Sequence, residues 1–78
     1  MTTIDALQAG DSARIEGYTA QGQGYRRKLL AMGLTPGVEF TVVRRAPLGD
    51  PIEIRVRGVH LSLRREEAAA LKLAKEDL

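Results

Sequence analysis

Tyr25-Arg26-Arg27-Lys28-Leu29-Leu30-Ala31-Met32-Gly33 leads, through Leu34-Thr35-Pro36-Gly37, into Val38-Glu39-Phe40-Thr41-Val42. Ala46-Pro47-Leu48-Gly49-Asp50-Pro51 follows, and then Ile52-Glu53-Ile54-Arg55-Val56-Arg57. Tyr25, Leu29 and Met32 recur at helical spacing and predict a short helix over roughly 24–32. Gly33 can adopt φ > 0 and stop it, and Pro36 makes continuation unfavourable. The two later segments alternate apolar and polar residues, the period of a half-buried strand. A turn bracketed by Pro47 and Pro51 separates them.

Working outward, Ser12-Ala13-Arg14-Ile15-Glu16-Gly17 reads as strand one, after a turn at Ala9-Gly10-Asp11. Thr19 to Gly24 reads as a flexible connection without a strong helix cap. Strand two runs over about 38–45, strand three over 52–57 and strand four over 59–64, with Gly58 giving a tight hairpin its backbone freedom. Arg65-Glu66-Glu67-Ala68-Ala69-Ala70 predicts a helical turn or two with acids near its N-terminus. Leu71-Lys72-Leu73 is a short closing strand, and 74–78 is expected to fray. Strand parity assigns Ala13, Ile15, Val38, Phe40, Val42, Ile52, Ile54, Val56, Val59, Leu61, Leu63, Leu71 and Leu73 to the interior. Tyr25, Leu29 and Met32 are expected to close it. The reading is an all-β dominated fold: a small SH3-like β-barrel of about five strands, with one short helix between strands one and two.

At 78 residues the chain has room for one domain, over 1–78. It has no cysteine, so neither a disulfide nor a thiolate metal site can staple it. No apolar run approaches the roughly 20 residues of a membrane-spanning helix, and Met1-Thr2-Thr3-Ile4-Asp5 has no signal-peptide character, so a soluble cytoplasmic protein is expected. The net charge is +2, but residues 1–64 carry nine basic and six acidic side chains, a net of +3. Arg26, Arg27, Arg44, Arg45, Arg55, Arg57 and Arg64 supply most of it. Such a surface suits nucleic acid, an acidic protein patch or an anionic membrane, or is simply solvated.

Catalytic chemistry is not legible. His60 is the only histidine and falls at an outward strand position, so it can build no metal site alone. Glu66-Glu67 is explained as the acidic first turn of a helix, and Asp50 as a turn residue bonding through its side chain. Gly22-x-Gly24 lacks the Lys-Ser/Thr of a P-loop and the third glycine of a dinucleotide fingerprint. Tyr18, Tyr25 and Phe40 are few for a base-stacking surface, and two of them are better used in the core. A binding module remains, with no cofactor and no metal site.

The block 27–37, with 46–52 after it, resembles the ferrous iron transport protein A (FeoA) family. The flanks agree: Leu7, Gly10, Ala13 and Ile15 before, then Val56, Arg57, Gly58, Leu61, Leu63 and Arg64, and finally 69–73. Ala9 stands where a proline is frequent in the family, which loosens one turn. The resemblance implies an SH3-like barrel in the bacterial cytoplasm that assists the membrane ferrous iron transporter FeoB by protein–protein contact, without catalysis of its own. The expected partner is therefore the cytoplasmic region of FeoB, with no nucleic acid and with the membrane reached only through the transporter. The competing reading is a small basic barrel that binds RNA or DNA.

The contact surface expected for that partner has two parts. Arg26, Arg27 and Leu30 form a basic and apolar strip on the helix, and Pro47-Leu48-Gly49-Asp50-Pro51 is a stiff turn offering Leu48 to solvent. Alternatively, the turn only sets the hairpin register and Leu48 folds back onto the barrel. Leu29 and Leu30 are about 100° apart, so Leu29 is expected in the core and Leu30 on the flank.

Overall fold

The computed structural model describes residues 3–75. Five strands form one antiparallel sheet in the order β4-β3-β2-β1-β5. They are β1 (Ser12–Tyr18), β2 (Glu39–Arg45), β3 (Ile52–Val56), β4 (Val59–Leu63) and β5 (Leu71–Lys75). Helix α1 (Arg26–Ala31) joins β1 to β2, and α2 (Arg65–Ala69) carries the chain from the β4 edge to the β5 edge. A short 3-10 turn, Ile4–Ala6, precedes β1. The alternation read from the sequence becomes the core: Ala13, Ile15, Phe40, Val42, Ile52, Ile54, Leu63, Leu71 and Leu73 are all buried.

The hairpin between β3 and β4 shows why glycine sits where it does. Val56 pairs with Val59, leaving Arg57-Gly58 as a two-residue loop. Both loop residues have positive φ, 51° and 79°, the backbone of a type I′ turn. That turn matches the twist of the strands it joins. Arg57 accepts the left-handed conformation and Gly58 adopts it without strain.

Several expectations need correction. Thr19 to Gly24 is not a loose connection: Ala20–Tyr25 is a 3-10 helix, and Thr19 Oγ1 accepts from Gly22 N at 3.0 Å. Gly22 is buried, and a Cβ there would lie 2.2 Å from Ala70 Cβ, so glycine permits this segment to touch α2. Tyr25 and Val59 are exposed, not core. Tyr25 ends the 3-10 segment, whose rotation per residue differs from that of α1, so its face cannot be projected from Leu29. Val59 abuts the hairpin tip on an edge strand, where no neighbour covers it. Residues 74 and 75 extend β5 and pair with Arg14 and Ala13, where fraying was expected; 76–78 lie outside the described residues.

Leu34, absent from the expected core, is fully buried. It belongs to the stop signal of α1. Gly33, at φ 86°, donates to Leu30 O, and Leu34 N donates to Leu29 O, the paired bonds of a Schellman motif. That motif folds the residue after the glycine back onto the last turn, so Leu34 and Leu29 enter the core together.

Candidate docking surface

α1 presents three directions. Leu29 points into the core with no exposed surface, while Leu30 is 40% exposed. At 100° per residue, Lys28 and Leu30 flank Leu29 on opposite sides, and Arg26 lies about 40° from Leu30. Arg26 and Leu30 therefore share one flank, Arg27 faces outward, and Lys28 takes the other flank. The Arg26 guanidinium rests 5.7 Å from the centre of the Tyr18 ring, a cation–π arrangement. Tyr18 OH in turn donates to Leu34 O at 2.7 Å. Thus Tyr18 is used as scaffold, Phe40 is buried, and Tyr25 is the exposed aromatic among the described residues.

The Lys28 flank is tied down. Lys28 Nζ forms an ion pair with Glu67, whose side chain is almost completely buried. Glu67 Oε1 also accepts from Arg64 N at 2.9 Å, half of a capping box at the start of α2. The hydrogen bond from Lys28, followed by that from the Arg64 backbone, holds the Glu67 carboxyl below its ordinary pKa, against the effect of burial. Glu67 was expected to be merely an acidic residue of a first turn. It is instead the joint between two helices 39 positions apart in sequence.

The turn between β2 and β3 projects from the sheet, and Leu48 at its tip is 92% exposed. Gly49 N bonds Ala46 O at 2.7 Å and Ala46 N bonds Pro51 O at 3.1 Å, closing the turn on itself. The Asp50–Pro51 peptide is cis. Asp50 was read as a residue stabilising its own turn. Its Oδ1 instead accepts from Arg65 N at 3.1 Å, so it anchors the turn to the first residue of α2. Of the two alternatives for Leu48, the folded-back one is excluded.

The two parts of the expected surface hold together separately. Arg26, Arg27 and Leu30 form one strip, and Pro47 to Pro51 form one projecting turn. What connects α1 to the turn is Lys28, which lines an open cleft of about 400 Å³ with Asp50, Pro51, Ser62, Arg64 and Glu67. Nothing local in the sequence marks Lys28 as different from its basic neighbours. The spacing Arg64-x-x-Glu67 is the one available signal, and it lacks the Ser or Thr that makes a capping box recognisable.

Arg45 is half-buried and spends its guanidinium inside the fold. Its Nε donates to Leu7 O at 3.0 Å and its Nη2 to Ile4 O, so it fastens the N-terminal turn to β2. Ile4 and Leu7 are buried beside it. His60 is exposed on β4, opposite Arg55. Among the described residues no three His, Asp or Glu side chains gather as a metal-ligand group. No helix among them is long and apolar enough to cross a membrane.

The model of the FeoA domain matches residues 2–75. The chain belongs to the FeoA domain family. This FeoA domain is 39% identical over 71 residues to the Fe(2+) transport protein A/Fe(2+) transporter FeoB fusion protein of Porphyromonas gingivalis. The match takes in 90% of the chain but only 8% of that fusion protein's length. A Pseudomonas aeruginosa protein solved by NMR is 47% identical, with a TM-score of 0.74 over 99% of this chain and 100% of that one. The FeoA of Stenotrophomonas maltophilia, crystallised with zinc and described as a prokaryotic SH3 domain protein, is 25% identical, with a TM-score of 0.77. It is matched over 95% of this chain and 91% of its own. The SH3-like FeoA fold expected from the strand pattern and the resemblance is therefore the fold found.

Proposed function

We propose that this protein is a cytoplasmic accessory factor of ferrous iron uptake that docks on the cytoplasmic region of a FeoB transporter and regulates it by contact, without catalysis. The observation that carries this reading is the Porphyromonas gingivalis relative, in which a FeoA segment is fused to FeoB in one chain. A tether of that kind raises the effective concentration of two modules that act together. Two surface features support it. Leu48 is a large apolar side chain held out on a turn whose two prolines restrict the backbone, so immobilising it on a partner costs little entropy. Arg26, Arg27 and Leu30 supply a second, basic and apolar patch of the composition favoured at interfaces. The scarcity of exposed aromatics works against the nucleic-acid alternative.

The test is co-purification with the transporter's cytoplasmic region. The paired change Arg27→Glu and Leu48→Asp is expected to abolish it while leaving the melting temperature near that of the unaltered protein. Binding retained by the folded double variant would place the interface elsewhere. Failure of the unaltered protein to bind would refute the docking.

A further inference from the structure

The two outer strands of the sheet are defended differently. β5 reads Leu71-Lys72-Leu73-Ala74-Lys75, with two lysines on an edge. β4 reads Val59-His60-Leu61-Ser62-Leu63 and carries no Asp, Glu, Lys, Arg or Pro. Charges and prolines are what normally keep an edge from pairing with another chain, and β4 has neither.

The direction of its backbone groups follows from the neighbouring bonds. Val42 N donates to Asp11 O and Val42 O accepts from Gly10 N, each at 2.8 Å, so Val42 faces the β1 side. Alternation then turns Thr41 toward β3, its partner Arg55 toward β2, and Ile54 toward Leu61 on β4. The type I′ hairpin gives the same answer independently, because Val56 and Val59 flank a two-residue loop and bond each other. Val59, Leu61 and Leu63 therefore bond β3. His60 and Ser62 direct their N–H and C=O groups away from the sheet, two donors and two acceptors in a row. No backbone bond joins them to any other described segment.

The two ends of this edge are basic. Arg57 stands at its start and Arg64 follows its end, both exposed, and Arg55 lies opposite His60. Glu53, opposite Ser62, is matched on its other side by Arg44. The cleft described above opens beside Ser62 and is wide enough for a side chain. A second copy of this chain suits the edge poorly. Antiparallel pairing centred on Leu61 would set Arg57 of each copy against Arg65 of the other.

We propose that the free edge of β4 is a docking site for an extended peptide segment with acidic residues at both ends, added as a sixth strand through the backbone of His60 and Ser62. Main-chain bonds give such strand addition its affinity, and the arginines at the two ends give it a preference for acids. This site adjoins the turn of the proposed transporter contact at the cleft that Asp50 and Pro51 share with Ser62, but it uses the backbone of β4 and neither Leu48 nor the Arg26, Arg27 and Leu30 strip, so it stands or falls without them.

The experiment titrates the full chain, followed by amide NMR, with a nine-residue peptide that alternates valine and threonine between two acidic residues at each end. A second peptide carries lysines at those ends. The acidic peptide is expected to move the His60 and Ser62 amides most, and the lysine peptide to bind about tenfold more weakly. Ser62→Pro removes an N–H that the fold does not use and is tolerated on an edge, so it should abolish binding in a folded protein. Should that variant not fold, Arg57→Glu with Arg64→Glu decides, because these exposed changes should reverse the preference between the peptides. Absence of binding, equal affinity for both peptides, shifts centred on β5, or binding that survives Ser62→Pro would overturn the proposal. So would concentration-dependent shifts of His60 and Ser62 without peptide, which would give the edge to a second copy.

Discussion

Lys28 and Leu30 sit one residue to either side of Leu29, yet they belong to different parts of the molecule. On one flank, Lys28 is paired with the buried Glu67, and Asp50 joins the same region through Arg65 N, so α1, α2 and the β2–β3 turn are held as one unit. On the other flank, Arg26 lies over the Tyr18 ring and Leu30 is 40% exposed. Three consecutive residues thus serve the core, an internal joint and an open surface. Proximity in sequence says little about what a helical residue does; its angle about the axis says nearly all of it.

The sharpest way to break this comparison is to truncate each position. Leu29→Ala should cost about 2–5 kcal/mol, because it removes a fully buried side chain from a small core and leaves a cavity. Leu30→Ala should stay within about 0.5 kcal/mol. Equal destabilisation of the two in denaturant melts would show that the helix phase is wrong. Gly22→Ala probes the opposite face of the connection. The added Cβ would meet Ala70 Cα at 2.5 Å as well as Ala70 Cβ, and backbone cannot yield as a flexible side chain can. A loss of about 1–3 kcal/mol is expected from overpacking. Unchanged stability would mean that this 3-10 segment does not press on α2.

The joint itself has a pH signature. The Glu67 pKa is lowered in the folded protein, so its contribution is fully present above its ordinary value of 4.5 and fades as the pH falls through the lowered folded value. Glu67→Gln should cost about 1–2 kcal/mol at neutral pH and flatten the acid limb of stability against pH below that range. An acid limb identical to that of the unaltered protein would assign the pH dependence to other carboxylates. Leu48→Asp is expected to have the smallest effect, within about 0.5 kcal/mol of stability, since the side chain touches almost nothing. A marked loss would show that Leu48 packs onto the barrel in solution.

Much of the fold was readable because a strand's side chains alternate strictly. Phe40, Val42, Ile52 and Ile54 could be placed inside from parity alone, and all four are buried. The misassigned positions are those where the period breaks or where no neighbour covers the face it predicts. Tyr25 lies in a 3-10 segment, Leu34 follows a Schellman stop, and Val59 stands at a hairpin tip. The surface was legible in part. Exposure of Leu30 and Leu48 follows from helix phase and turn chemistry. The pairing of Lys28 with Glu67, the anchoring of Asp50 on Arg65 and the withdrawal of Arg45 from the basic face join residues far apart in sequence.

By itself the sequence determined the sheet, because alternation, glycine and proline act within a few residues of where they stand. It also determined the family, because the blocks 27–37 and 46–52 run in order through helix, stop and turn in the manner of FeoA. Only the tertiary structure decided which charges are free. An arginine or lysine is indistinguishable from its neighbours until the chain closes and brings a carboxylate or a carbonyl within reach. The edge of β4 was decided the same way. Its outward N–H and C=O groups are common to any strand, and only the order of the strands leaves those of His60 and Ser62 without a neighbour.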